Sequence, residues 1–292
     1  MPANVMVPAA PVARGRSRDP GERLRGLLLI AAPLALVMLL VILPTAAMIL
    51  GSLRLDEGFG ADRYAAFFAD AYSLANLRYT VFWTFASTLS TLVISLGLAL
   101  YLRFSTGRLA AIVHALSLFP LFIPAIIISY ALIRFLGPNG LFQLLLEQVG
   151  ITGYRTPYLT PIGPYIAFIW ESLPLPVLVL TAGLTQASES TVEAARDLGA
   201  GAIRILVEIL LPQLRRPLII AFALVFLGTI GSYTIPYLIG PPAPEMMGVY
   251  IARTMGNLQR PDEAAVQAVI LLAVASVVGL VYIATMASGE RR

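Results

Sequence analysis

The amino-acid sequence predicts an all-α integral membrane protein with about six transmembrane helices and both termini in the cytoplasm. Apolar residues make up 58% of the 292 residues and charged residues only 12%, a balance that suits lipid rather than water as the main solvent. Six apolar stretches reach the length of about 20 residues that a helix needs to cross a bilayer. They are too uniformly apolar for barrel strands, which alternate over about ten residues.

The first predicted span follows a polar, arginine-containing tail over residues 1–25, which we expect to be disordered. It is too long for the apolar core of a cleaved signal peptide. The third span contains His114 and the fourth Glu171, and no other span contains Arg, His, Asp or Glu. The six predicted spans cover residues 27–50, 79–102, 109–133, 161–184, 217–240 and 264–288.

The arginines predict the orientation of the transmembrane domain, residues 26–289. If the N-terminus is cytoplasmic, the larger share of the 20 basic residues lies in the tail, in the 2–3 and 4–5 loops and at the C-terminus. Cytoplasmic segments near membrane spans are enriched in this way. The net charge of +4 is therefore an orientation signal, and we expect no nucleic-acid partner. The predicted location is a bacterial cytoplasmic (inner) membrane.

Missing residue types exclude several classes of chemistry. The chain has no cysteine and one histidine, so thiolate or histidine metal sites and a Cys nucleophile are not expected. All of its basic residues except that histidine are arginines, whereas a phosphate-binding P-loop requires lysine. We therefore predict that the chain is not an enzyme, holds no cofactor or metal, and does not hydrolyse ATP itself.

The loop between spans four and five, residues 186–216, carries the strongest motif. Ser190 and Glu193 have the spacing of a capping box, which predicts the start of a short helix. Gly199 and Gly201 are natural stops for that helix. The loop therefore predicts two short helices joined by a glycine turn at the inner face of the membrane.

The rest of this loop suits docking of another protein. A second amphipathic stretch over residues 202–211 is expected to end or kink at Pro212, because proline lacks the N–H that continues a helix. Ala194 and Ala195 leave a flat surface that another protein can approach closely. Charge for docking comes from Glu193, Arg196 and Asp197.

The loop resembles the EAA loop of ABC-importer permeases. The pattern Glu-Ala-Ala-x-x-x-Gly-x9-Ile-x-Leu-Pro runs from Glu193 to Pro212. The resemblance implies that the loop inserts into a cleft of a cytoplasmic ABC ATPase subunit; the alternative is a solvated amphipathic connector. The residues assigned to this ATPase coupling are Glu193, Ala194, Ala195, Arg196, Asp197, Gly199, Ile209, Leu211 and Pro212.

Three further segments look like spermidine/putrescine-type permeases, namely residues 118–124, 137–141 and 231–241. That group is similar to permeases for ferric iron, opines and phosphonates. The resemblance implies import of a polyamine or a similar small organic solute by alternating access. It also implies an extracytoplasmic solute-binding protein and a second permease subunit, in a heterodimer or a homodimer.

Glu171 is the main candidate for the substrate path. An ionised side chain at the centre of a bilayer costs about 2.5–3.5 kcal/mol, so it should face the bundle interior or water. It either contacts a cationic substrate or pairs with neighbouring hydroxyls, and Pro174 and Pro176 predict a kink beside it. Further path candidates, which could instead join helices through hydrogen bonds, are Tyr130, Ser232, Tyr233 and Thr234.

An ion- or proton-coupled secondary transporter is the alternative function. It would use Glu171 as its titratable group. This class of transporter favours several ionisable residues at mid-membrane, whereas Glu171 alone qualifies here. It also leaves the motif of the 4–5 loop unexplained.

Overall fold

The computed structural model describes residues 20–55, 58–186 and 188–287, and it separates into two units, residues 1–50 and 51–292. In the first unit, helix α1 (Pro20–Val37) continues through a π-helical turn (Met38–Ile42) into α2 (Leu43–Ser52). Residues 20–25 are thus helical, contrary to the expected tail, and residues 1–19 lie outside the described residues. The segment Leu29–Ser52 is apolar and long enough for the first span.

The second unit opens with a two-stranded antiparallel hairpin, β1 (Arg54–Leu55) and β2 (Gly58–Phe59), followed by α3 (Asp62–Ala69). The 34-residue helix α4 (Ala71–Phe104) forms the second span. Its N-cap is Asp70, whose carboxylate accepts hydrogen bonds from the hydroxyl and the N–H of Ser73. These hydrogen bonds lower the pKa of the Asp70 carboxyl, because they favour its ionised form.

The remaining helices complete the bundle. They are α5 (Arg108–Leu118), α6 (Ala125–Leu136), α7 (Leu141–Gln148), α8 (Ile162–Ser172), α9 (Pro174–Thr185), α10 (Glu189–Asp197), α11 (Ala202–Arg204), α12 (Leu211–Ile230), α13 (Thr234–Ile239), α14 (Met247–Gly256) and α15 (Pro261–Ala287). Five helical segments of the described chain are long and apolar enough to cross a membrane, and the pair α8–α9 makes a sixth. The predicted all-α membrane fold is confirmed, and the predicted kink is a 44° bend at Pro174.

The prediction for the third span was wrong in its bounds. Helix α5 passes into a 3-10 turn (Phe119–Phe122), and a new helix, α6, begins only after Pro124. Ile123 has an extended backbone, with φ −110° and ψ 118°, because the ring of a following proline disfavours helical geometry. The apolar run over residues 109–133 is therefore two helices rather than one.

The fifth span also differs from its prediction. Instead of ending or kinking at Pro212, the helix runs continuously from Ala202 to Ile230 through a π-helical turn (Ile205–Leu210). Another π-helical turn, in the first unit, likewise ends two residues before a proline, Pro44. A proline ring crowds the carbonyl four residues earlier, and a wider turn at that carbonyl leaves room for it. Beyond Ile230 the span breaks, and α13 follows as a separate short helix.

The core of the second unit lies where α4 packs against α9 and α12. A stripe of buried small polar residues runs along α4 at intervals of mostly three or four: Ser73, Asn76, Thr80, Thr84, Ser87, Thr88, Thr91 and Ser95. Small residues allow membrane helices to approach closely. At the end where α4 stops and α12 begins, which we call the inner end, an apolar inner cluster is formed by Ala99, Leu180, Leu184, Val192, Ile205, Leu210 and Leu214.

Candidate coupling site and transport path

The chain between α9 and α12 folds as a compact coupling elbow, residues 188–211. Helix α10 ends in a Schellman motif, in which the N–H of Ala200 donates to the carbonyl of Ala195 and the N–H of Gly199 to that of Arg196, at 2.9 and 2.8 Å. Gly199 has φ +81°, a conformation that suits glycine. The predicted glycine turn between two helices is therefore present.

The start of α10 differs from the capping-box prediction. The helix begins at Glu189, and its N-cap is Ser188 rather than Ser190. The two serine hydroxyls bond to each other at 2.6 Å, and Ser188 makes no side-chain capping bond. Glu193 is therefore not engaged in a capping box, and its side chain is exposed.

One face of the elbow is open to a partner. Glu193, Ala194, Arg196, Asp197 and Gly199 are exposed, and so is Pro212 further along the chain. Two large apolar side chains join them: Leu198 is 90% exposed and Ile203 is 80% exposed. Sequence reasoning missed this apolar pair, although a leucine directly before the helix-ending glycine was a visible signal. An apolar centre surrounded by charge is the usual composition of a protein–protein interface.

The opposite face of the elbow is anchored to the bundle. Val192 from α10 and Ile205 from the π-helical turn enter the inner cluster, and Ala195 and Ile209 pack against it. Leu211 is half-buried at the start of α12. The guanidinium of Arg196 lies 5.6 Å from the centre of the Phe104 ring at the end of α4. The elbow is thus held by the ends of several spans.

Close contact between α9 and α12 stiffens this anchor. A Cβ atom on Gly183 would lie 2.7 Å from the Pro217 side chain and 3.0 Å from that of Leu214. Because glycine has no Cβ, the two helices approach to a distance that no other residue would permit at this position. The two spans are therefore in direct contact beside the inner cluster.

A substitution at Gly199 tests the importance of the turn. In Gly199→Val the left-handed backbone becomes strained by about 1–2 kcal/mol, although the added side chain meets open space. We expect α10 to lose its orientation and ATPase co-purification to fall about tenfold. The matched control is Gly201→Ala. Gly201 has φ −71° and open space around it, so this variant should behave like the wild type. Equal co-purification for both variants would contradict the prediction.

Glu171 lies at the end of α8, one residue before Ser172 and the 44° bend. Its side chain is half-buried, and within residues 20–55, 58–186 and 188–287 no hydrogen bond or ion pair to its carboxylate is present. The alternative of a carboxylate paired with neighbouring hydroxyls therefore finds no partner in the described chain. Since α9 starts with a proline, the helix is interrupted next to this group.

The other path candidates lie on α6 and at the junction of α12 and α13. Tyr130 is 56% exposed on α6, and the neighbouring Ser129 donates to the carbonyl of Ala125 in its own helix. Ser232 and Tyr233 lie in the break between α12 and α13, and Thr234 is the first residue of α13. The ring of Tyr233 stacks on that of Tyr237 at 5.0 Å and lines a cavity of about 410 Å³. In the described chain no hydrogen bond or ion pair links these side chains to the Glu171 carboxylate, and their shared role in a transport path stays a prediction.

A polar cluster at the outer end escaped sequence reasoning. Glu245 is 6% exposed and is paired with Arg253, and its carboxylate accepts a hydrogen bond from the Tyr72 hydroxyl at 2.9 Å. The amide oxygen of Asn76 and the hydroxyl oxygen of Thr80 accept the backbone N–H groups of Glu245 and Met247. These contacts bind the start of α14 to α4. Their only sequence signal was a glutamate within a proline-rich loop.

The fold and the elbow together define a class of protein, a multi-pass α-helical permease. The chain belongs to the family of binding-protein-dependent transport system inner membrane components, whose model matches residues 28–291. Family members are membrane permease subunits, so the prediction of a non-enzymatic inner membrane protein is confirmed. The finer prediction of a spermidine/putrescine permease does not follow from the family, because relatives with other substrates match as well.

Two relatives and one solved structure illustrate the range of proteins to which the chain is similar. The chain is 27% identical to the sulfoquinovosyl glycerol transport system permease protein SmoG of Agrobacterium fabrum, over 91% of each chain. It is 25% identical to the spermidine/putrescine transport system permease protein PotB of Salmonella typhimurium, over 77% of this chain and 78% of that one. A chain of a bacterial alginate ABC transporter, crystallised with an alginate pentasaccharide-bound periplasmic protein, matches with a TM-score of 0.75 at 20% identity, over 89% of this chain and 93% of that one.

Proposed function

We propose that this chain is the pore-forming permease of an ATP-driven importer and that the coupling elbow receives the force of a separate ABC ATPase subunit. The observation that carries the proposal is the two-faced elbow. Its exposed face presents Leu198, Ile203 and Glu193 to a partner, while its opposite face is buried in the inner cluster, which α4, α9 and α12 share. Exposed apolar side chains bordered by charge favour a docking surface over a solvated connector.

The elbow moves with the spans because of its covalent and packing connections. Helix α11 runs without interruption into α12, and Val192 ties α10 to the same cluster. When ATP closes two ATPase subunits on each other, a docked elbow follows, and α9 and α12 tilt together. We propose that this tilt switches the substrate cavity between inward-facing and outward-facing states.

The proposed partners follow from the family. A family described as binding-protein-dependent supports delivery of substrate by an extracytoplasmic solute-binding protein. The alginate transporter with its bound periplasmic protein supports the same arrangement. We propose that a second permease subunit completes the pore, in a heterodimer or a homodimer, and that no nucleic acid takes part.

For the substrate we propose a small polar organic solute, with a polyamine as the first compound to test. The motif-level resemblance and the PotB relative support a polyamine, whereas the SmoG relative supports a glycoside. The unpaired Glu171 carboxylate beside a helix break favours a solute that carries positive charge. Broken helices near mid-membrane are typical of transport sites.

A Glu171→Gln variant tests the proposed contact with substrate. If the carboxylate binds a cationic solute, uptake should fall about tenfold, because hydrogen bonds to charged groups contribute about 1.5–3 kcal/mol. Expression and thermal stability should stay the same or improve, since an unpaired charge is removed from the membrane. The matched control is Glu147→Gln, a carboxylate that bonds to Gln143 on the exposed helix α7. Full uptake by folded Glu171→Gln would exclude this role.

Transport in reconstituted vesicles tests the proposed function as a whole. The permease is reconstituted with and without the ATPase subunits and with the solute-binding protein. We expect accumulation of substrate only when ATP and the ATPase subunits are both present. Uptake that persists without them, driven by a proton or sodium gradient, would instead identify a secondary transporter.

A further inference from the structure

An apolar groove lies on the surface of the bundle in its inner half. We call it the inner groove; it is lined by Leu92, Val93 and Leu96 of α4, Ile219 and Phe222 of α12, and Val281 of α15. Its volume is about 410 Å³, and every residue that lines it is apolar. Phe222 is braced by the rings of Phe85 and Phe226 at 5.8 and 5.7 Å, so that wall of the groove is fixed.

Arginines continue the two main walls of this groove toward the inner end. On α12, Arg215 precedes Ile219 by four residues and Phe222 by seven, a spacing that places all three on one helix face. On α4, Arg103 follows Leu96 by seven residues and shares its face. Arg215 is exposed, and within the part of the chain that the structure describes no group pairs with its guanidinium.

We propose that the inner groove and Arg215 form a binding site for an anionic phospholipid of the cytoplasmic leaflet. One acyl chain lies along the apolar wall between α4 and α12, and the lipid phosphate pairs with Arg215. An arginine fork suits a phosphate, because its N–H groups match two phosphate oxygens. Basic residues at the cytoplasmic ends of membrane helices attract anionic headgroups in this way.

The shape and charge of the site favour a lipid over a protein partner. The groove lies between α4, α12 and α15, and its lining exposes no polar atom, which suits an acyl chain. Arg215 lies four residues after the start of α12, at the inner end of the bundle. Because α12 continues into α11, a lipid held there would stabilise one orientation of the elbow and thereby influence coupling to the ATPase.

Native mass spectrometry of the full-length permease tests this site. The protein is taken from nanodiscs of phosphatidylglycerol and phosphatidylcholine in equal parts, and the lipids that remain bound are counted. We expect the wild type to retain phosphatidylglycerol in preference to phosphatidylcholine. In Arg215→Gln this retention should fall about fivefold, because one basic residue near a membrane surface contributes about 1 kcal/mol. Ile219→Trp, which fills the groove, should reduce retention similarly. Arg134→Gln, an exposed arginine at the outer end of α6, is the matched control and should retain lipid like the wild type.

Several results would overturn the proposal. One is equal phosphatidylglycerol retention by the wild type and by folded Arg215→Gln. Displacement of the lipid by free glycerol phosphate would indicate an anion site without a role for the groove. Loss of assembly with the second permease in Ile219→Trp, with lipid retention unchanged, would indicate a protein interface. None of these results depends on transport activity, so the proposed import function can fail or stand independently.

Discussion

Leu198→Asp should abolish most ATP-driven uptake while leaving the permease folded. Leu198 is 90% exposed, so the isolated subunit loses little by the change. At a docked interface, however, burial of a leucine side chain contributes about 1.5–3 kcal/mol, and a buried, unpaired carboxylate adds a further cost. Since each 1.4 kcal/mol is a factor of ten in affinity, we expect ATPase binding to fall by well over tenfold. Co-purification and vesicle uptake measure this loss.

The control for this variant is Val149→Asp. Val149 is also a largely exposed apolar residue, but it follows α7 at the opposite end of the bundle. It should bind the ATPase subunits normally and transport at the wild-type rate. If Leu198→Asp matches Val149→Asp in both measurements, the exposed elbow is not the docking surface and the proposed coupling mechanism is wrong.

Glu245→Ala should clearly lower the stability of the outer end. The change leaves Arg253 without its carboxylate, and the Arg253 Nε atom is already buried without a hydrogen bond. Removing one member of a buried ion pair costs about 3–5 kcal/mol. Because Arg253 is 38% exposed, water compensates part of this cost, and we expect about 3 kcal/mol at most. A thermal-unfolding midpoint in nanodiscs, lowered by several degrees, is the readout.

Glu263→Ala provides the comparison for this loss. Glu263 pairs with Arg260 at 3.4 Å on the surface, and exposed pairs of this kind contribute about 0–1 kcal/mol. Its midpoint should therefore stay close to that of the wild type. Equal midpoints for the two variants would mean that the contacts between α14 and α4 do not depend on the Glu245 carboxylate.

The elbow shows which local features a sequence pattern predicts and which it does not. Gly199 and Gly201 predicted a turn between two helices, and that turn is present because φ +81° is a conformation that glycine adopts without strain. The capping box at Ser190 failed, since the N-cap of the helix is Ser188, two residues earlier in the chain. The exposure of Leu198 was missed, although its position directly before the helix-ending Gly199 was a signal in the sequence.

Proline effects were predicted with mixed success for one reason. Pro174 bends its span as predicted, whereas the break before Pro124 was not predicted and Pro212 is accommodated by a π-helical turn. A helix can accommodate the missing N–H of a proline by a break, a bend or a wider turn. The packing of neighbouring helices determines which of the three occurs. The packing of α12 on α9 and α4 favours a continuous helix at Pro212.

By itself the sequence determined that lipid surrounds much of this protein, the class of its fold and the position of the Glu-Ala-Ala motif. A long, uniformly apolar run forms helix in lipid because every backbone polar group must be paired within the segment. A motif of fixed spacing can be recognised from the sequence alone. The tertiary structure alone decided which face of the elbow is buried, where Glu245 finds Arg253, and how Arg215 continues the inner groove. Those contacts join residues that are distant in the chain, or they depend on how one helix is rotated relative to its neighbour. No local sequence pattern encodes them.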